Sequence, residues 1–186
     1  EILSKKTLGE IVKIIGCCTS GLFVMGTHMI DLLMYFCGDV AKVMGVKENT
    51  RGVDSLWYSE NYSLNDPPVS GILWFKNEII GQLLASCKTR YPLFDIEIFT
   101  TRGRISVKEW AFAKYLIEIY KLKDGKKPKL HLEKKIVSRR NNLMISAMKD
   151  IVSSLKSNRP TVSTGEDALK TMAVMNALLK SAAGNR

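Results

Sequence analysis

No apolar run in this chain approaches the roughly 18 residues that a membrane-spanning helix needs. No basic stretch followed by an apolar segment and a small-residue cleavage site opens it. We therefore expect a soluble, cytoplasmic protein with no membrane partner. The four cysteines (Cys17, Cys18, Cys37 and Cys87) form no CxxC pair. Adjacent Cys17 and Cys18 make a poor disulfide, and all four sit in apolar stretches, so they read as buried free thiols. Histidine occurs only as His28 and His131, and neither has enough neighbouring ligand types to predict a metal site. Also missing are the nucleophile elbow GxSxG, the P-loop and HExxH. GxGxxG is absent too: the stretch from Gly21 to Gly26 reads GLFVMG, whose spacing is wrong for a dinucleotide fingerprint. This chain should therefore hold no nucleotide cofactor of the usual kind.

What is present is ordinary globular material. The 186 residues are 46% hydrophobic and 25% charged, enough to build one sizeable core without staples. The net charge is +10, and much of it is local. Nine basic residues lie between Lys121 and Arg140, against Asp124 and Glu133. Such a run reads either as the solvated flanks of a hairpin or as a docking site for polyanions. Few aromatics interleave with the lysines and no groove-reading helix accompanies them, which argues against nucleic acid.

Periodicity orders the chain. Residues 1–8 read as the end of a helix stopped at Gly9, followed by a strand from Glu10 to Cys17. Thr19 to Gly26 reads as a loop, and Thr27 to Phe36 as a helix with Met29, Ile30, Leu32, Leu33 and Phe36 on its apolar face. After the half-buried strand VAKVMGVK comes an irregular stretch over 51–68. Three hairpins follow: VSGILWFKN with IIGQLLASCKT, FDIEIFTT with RISVKEW, and KYLIEIYKLK with KLHLEKKIV around DGKKP. A helix over 141–158 shows Leu143, Ala147, Ile151 and Leu155 along one side. The last helix should start at a Ser163 or Thr164 N-cap, with Glu166 and Asp167 in its first turn. Strands in succession with helices before and after them define an α+β fold: an open, mostly antiparallel sheet with helices on one face. Trp57, Trp74, Phe75, Phe94, Phe99, Trp110, Phe112 and Tyr120 are too many to fit beneath three helices. Some should lie on the free face and invite a second copy, giving a homo-oligomer.

His28 stands out. It follows a glycine loop, occupies the first turn of a predicted helix, and has Asp31 three residues on. A neutral imidazole there can accept or hold a hydroxyl proton. It can equally be a polar residue satisfied by nearby backbone. His131, between Leu130 and Leu132, reads as a surface histidine.

In order, TLGEIVKIIG, GTHMIDLLMYFCGDVAKVMG, GILWFKNEIIGQLLAS, IEIFTTRGRISV and PTVSTGEDALKTMAVMNALLKSA resemble the C-terminal domain of the glucose–fructose oxidoreductase / inositol dehydrogenase / MocA family. The resemblance implies an enzyme that uses NAD or NADP on a sugar, sugar nucleotide or cyclitol. It also implies an N-terminal Rossmann domain, carrying the cofactor and a Glu-Lys-Pro lysine, that is not in this chain. Residues 1–8 would then be the end of the linking helix, and 9–186 the substrate-binding and oligomerisation domain, inactive alone. The resemblance makes His28 the residue beside the reacting hydroxyl, with Asp31 following it in the motif. Val24 stands where many members have an aspartate. Lys88, Arg90 and Tyr91, at a strand end, are further candidates for gripping a sugar or phosphate. A non-catalytic scaffold domain, docking nucleic acid through 121–140, is the alternative.

Overall fold

The computed structural model describes residues 7–49, 66–89, 91–109, 114–139 and 143–184. Of the features expected from sequence, the start of the linking helix, the stretch 50–65 with Trp57, Arg90, and the Trp110–Phe112 segment lie outside these residues.

Eight strands form one sheet: β1 (Ile11–Thr19), β2 (Val40–Lys47), β3 (Val69–Phe75), β4 (Ile80–Ser86), β5 (Phe94–Thr100), β6 (Gly103–Glu109), β7 (Lys114–Lys123) and β8 (Lys129–Arg139). Their order is β2-β3-β4-β1-β5-β6-β7-β8. β2–β3, β3–β4, β5–β6, β6–β7 and β7–β8 pair antiparallel, as the alternating patterns lead one to expect. β1 lies between β4 and β5. It runs parallel to β4, with Thr19 opposite Ser86, and antiparallel to β5. The sheet is thus the expected open, mostly antiparallel one, with a single parallel pairing among the described strands.

One face is packed. α1 (Thr27–Cys37) lies over β1, and Met29, Ile30 and Leu33 are fully buried against it. Each contributes roughly 1.5–3 kcal/mol by the usual burial scale. The helix stops where Gly38 adopts φ +83° and donates its N–H to the Met34 carbonyl, a left-handed exit that suits glycine. α3 (Gly165–Gly184) lies over β2 and β3. Its start matches expectation: Thr164 Oγ1 accepts the Asp167 N–H at 3.2 Å, while the Asp167 carboxylate takes the Thr164 N–H at 3.0 Å and its hydroxyl at 2.8 Å. These bonds hold the Asp167 carboxyl below its ordinary range. Gly45 and Gly71 form the seat for this helix. A Cβ on Gly45 would run into the Leu178 carbonyl oxygen, and one on Gly71 into the Leu178 side chain.

α2 (Leu143–Ser157) departs from the expected arrangement of three helices on one face. Met144, Ile145, Met148, Ile151, Val152 and Leu155 are exposed, Leu155 at 79%. The helix is tied instead to the chain that follows it. The Asp150 carboxylate takes the Val162 N–H at 2.8 Å and Arg159 Nη2 at 2.7 Å, which hold its carboxyl below the ordinary range.

The uncovered face is mixed rather than uniformly apolar. On β2–β4 it carries Met44, Ile72, Trp74, Ile80 and Leu84, with Lys42 Nζ 5.4 Å above the Trp74 ring. On β5–β8 a polar network takes over. Glu97 accepts the Ser106 hydroxyl at 2.6 Å and faces Arg104 Nε at 3.0 Å, Arg104 lies over Tyr120, and the Tyr120 hydroxyl donates to Glu118 at 3.1 Å. Phe75 and Phe94 are buried on the helix side, whereas Trp74, Phe99 and Tyr120 lie on the uncovered face, as the aromatic count required.

Gly45→Ala should destabilise the chain by about 1–3 kcal/mol, because the helix backbone must shift to admit a methyl group. Urea unfolding checks this. An unchanged midpoint would show that α3 is not seated on Gly45 as described.

Candidate functional site

The parallel pairing of β1 with β4 fixes the site's location. Parallel strands send both of their outgoing chains from the same edge of a sheet. The chain leaving β1 at Thr19 leads to His28, and the chain leaving β4 at Ser86 leads to Lys88 and Tyr91. The two exits are bonded to each other. The Ser20 N–H donates to the Ser86 carbonyl at 3.2 Å. Thr19 Oγ1 donates to the Tyr91 carbonyl at 3.0 Å and lies 3.0 Å from Thr89 Oγ1. The Thr19 N–H donates to the Leu93 carbonyl at 2.8 Å.

The segment expected to be a loop is not one. Leu22–Gly26 forms a π-helical turn, closed by the Gly26 N–H on the Gly21 carbonyl at 3.0 Å, that runs straight into α1. The free helix end therefore lies at Gly21, not at Thr27. Its unpaired N–H groups are answered by the connection into β3. The Asp66 carboxylate accepts the Gly21 N–H at 2.9 Å, the Phe23 N–H at 2.6 Å and the Ser20 hydroxyl at 2.9 Å, and the Pro67 carbonyl accepts the Leu22 N–H at 2.9 Å. The electropositive helix tip thus lies more than a turn before His28 and is already met by a carboxylate.

His28 is the second residue of α1 and is exposed. It shares a helix stripe with Leu32 and Tyr35, four and seven residues on. Asp31 turns toward α3, where its Oδ1 lies 3.5 Å from Thr171 Oγ1. There it lines a cleft of about 480 Å³ with Tyr35, Asp39, Ser163, Asp167 and Lys170, a cleft that does not include His28. Asp39 in that cleft is bonded by Lys170 at 2.9 Å and Lys76 at 3.0 Å, which hold its carboxyl below the usual range. Lys88 and Tyr91 are exposed at the sheet edge, and Arg90 between them lies outside the described residues. The structure therefore bonds the chain leading into the His28 helix to the chain that carries Lys88 and Tyr91, and turns Asp31 toward α3.

Beneath this edge lie Cys18 and Cys87, both fully buried. Burial first, then neighbouring Asp66 and other thiol or carboxyl groups, push each thiol up to about 12. Cys37 is likewise pushed to about 12 by burial. These are structural thiols with no thiolate at neutral pH. Among the described residues no group of three or more His, Cys, Asp or Glu could hold a metal.

The sequence singled out neither Asp66 nor Glu48. Glu48, at the end of β2, accepts the Ser86 hydroxyl at 2.9 Å and the Cys87 N–H at 3.0 Å, and so fixes the start of the Lys88 segment. In the basic hairpin the register puts Lys121, Lys123, Lys129, His131 and Lys134 on the helix-side face and Leu122, Leu130 and Leu132 on the other. His131 pairs with Glu133 at 3.1 Å.

A nucleotide cofactor does not fit the strand–helix turn of this chain. A diphosphate needs the free N–H groups of the helix start after the strand, and here Asp66 and Pro67 occupy them.

Comparison with known proteins finds a similar domain and similar folds. Residues 18–106 match the model of the GFO/IDH/MocA C-terminal domain. Solved structures share the fold at low identity. A levoglucosan dehydrogenase in complex with NADH and L-sorbose is 14% identical with a TM-score of 0.77, over 98% of this chain and 59% of its own. An oxidoreductase from Agrobacterium radiobacter in complex with NAD+, L-tartaric acid and magnesium is 17% identical with a TM-score of 0.74, over 100% of this chain and 58% of its own. A UDP-N-acetylglucosamine 3-dehydrogenase from Acidithiobacillus ferrooxidans is 13% identical with a TM-score of 0.69, over 96% of this chain and 56% of its own. No curated protein matches by sequence. The chain thus spans somewhat under three-fifths of the length of these structures. No helix among the described residues is long and apolar enough to cross a membrane.

Proposed function

We propose that this chain is the substrate-binding and self-associating domain of an NAD(P)-dependent oxidoreductase that acts on a hydroxyl of a sugar, sugar nucleotide or cyclitol. The observation that carries this reading is the exposed His28 on a helix whose entry is bonded to the Lys88–Tyr91 segment at one sheet edge. A nicotinamide bound outside this chain would supply the hydride acceptor. Within the chain, His28 would hold the reacting hydroxyl through an imidazole nitrogen and take or relay its proton. Lys88, Arg90 and Tyr91 would grip the far side of the sugar, the lysine and arginine suiting a phosphate or diphosphate and the phenol a hydroxyl. Asp31, through Thr171, would fix α1 against α3.

Two features support a further domain and a second copy. α2 exposes six large apolar side chains along a 15-residue helix, a surface that a covering domain would bury. The apolar flank of the uncovered face over β2–β4 and the mixed charges on β5–β8 suit isologous packing, in which opposite charges can meet across a two-fold axis.

The two histidines make the substrate reading testable on the chain itself. When the protein is titrated with polyols, hexoses and sugar nucleotides, the His28 ring signals in carbon–proton correlation spectra should move with at least one ligand class while those of His131 stay. A panel that moves neither ring up to tens of millimolar contradicts the reading. Self-association is read separately by sedimentation velocity. The chain should sediment as a dimer or larger at micromolar concentration and Leu84→Arg as a monomer, and a monomeric parent chain contradicts this part.

A further inference from the structure

Both segments that make the proposed site are held by carboxylates from the two ends of a single connection. Glu48 stands at the end of β2 and Asp66 just before β3, and the Glu48 N–H donates to the Pro68 carbonyl at 2.9 Å, which ties the two ends together. Glu48 grips the β4 exit through Ser86 Oγ and the Cys87 N–H. Ser86 Oγ in turn accepts the Lys88 N–H at 3.2 Å, and the Ser86 carbonyl accepts the Ser20 N–H. Ser20, held at φ +85°, passes its hydroxyl to Asp66, whose two oxygens also take the Gly21 and Phe23 N–H groups. A continuous hydrogen-bonded path thus runs from the start of the Lys88 segment to the start of the helix that carries His28.

We propose that Asp66 is a positioning residue for His28, and that Glu48 sets the Lys88 segment against it through Ser86. Asp66 is 3% exposed, so its carboxylate is compensated by these three donors and not by water. Both of its oxygens are engaged by groups of the π turn or its entry. Moving the carboxylate therefore moves the turn, and the turn is continuous with the first residues of α1. A positive φ at a serine costs backbone energy that only surrounding bonds can hold in place, and strain of this kind gathers at functional sites. The inference rests on the reading of His28 as the substrate ligand, but its test does not use substrate.

Asp66→Asn keeps shape and one acceptor oxygen, but its amide nitrogen cannot accept the Gly21 N–H or the Ser20 hydroxyl. Asp167→Asn, at the cap of α3, is the control, because it removes a comparable cap that makes no bond to the β1 exit or the π turn. In Asp66→Asn the Gly21, Phe23 and His28 amides should exchange with deuterium about tenfold faster or more. The ring signals of ligand-free His28 should also shift, while the His131 signals stay. Asp167→Asn should lower the urea midpoint without touching the His28 ring. The proposal is overturned if Asp66→Asn lowers stability yet leaves the His28 ring signals and amide exchange as in the parent. Should Asp66→Asn not fold, Ser20→Ala decides by the same readouts, since it deletes one bond to Asp66 and keeps the carboxylate. A failed sugar titration, by contrast, would remove the substrate reading and leave these results standing.

Discussion

Everything at the candidate site follows from one pairing, β1 alongside β4 in the same direction. In an otherwise antiparallel sheet this pairing sends two chain exits, 67 residues apart from Thr19 to Ser86 by subtraction, out of one edge. Backbone groups at such an edge have lost their ladder partners and must find others. They find each other, through Ser20 and Ser86, and they find two carboxylates, Glu48 and Asp66. The histidine-bearing helix is therefore aimed by sheet topology first and by side chains second.

The same accounting separates this edge from a nucleotide site. A strand that turns directly into a helix is the local geometry that dinucleotide folds use for phosphate, and the free N–H groups are what binds it. Here a buried aspartate and a proline carbonyl take those groups. The helix start is spent on internal order, while His28, Lys88 and Tyr91 are exposed. The buried thiols below, pushed far above neutral pH by desolvation, contribute packing and no nucleophile.

Much of this was legible in the residues. Alternation located the hairpins, the stripe Met29, Ile30 and Leu33 located α1 and its buried face, and Thr164 with Asp167 located the start of α3. These are local signals, set by side-chain period and capping within a few residues. What escaped is non-local. Asp66 acts 43 residues from Phe23 and Glu48 acts 39 residues from Cys87, and no local pattern marks either one. The π turn escaped because GLFVMG carries glycines at both ends and so reads as a loop, and its cap comes from a distant carboxylate. α2 misled for the opposite reason: its apolar spacing is strong, yet nothing in the described residues covers it.

The central claim is that this edge presents His28 to a sugar-sized polyol. The most direct measurement is a crystal structure of the chain grown with the polyol or sugar nucleotide that moves the His28 signals. The account predicts a ligand hydroxyl within about 3 Å of an imidazole nitrogen of His28, with the remainder of the ligand against the Lys88–Tyr91 segment. A ligand lodged instead in the cleft between Asp31 and Lys170, with the His28 ring touching none of it, would contradict the account.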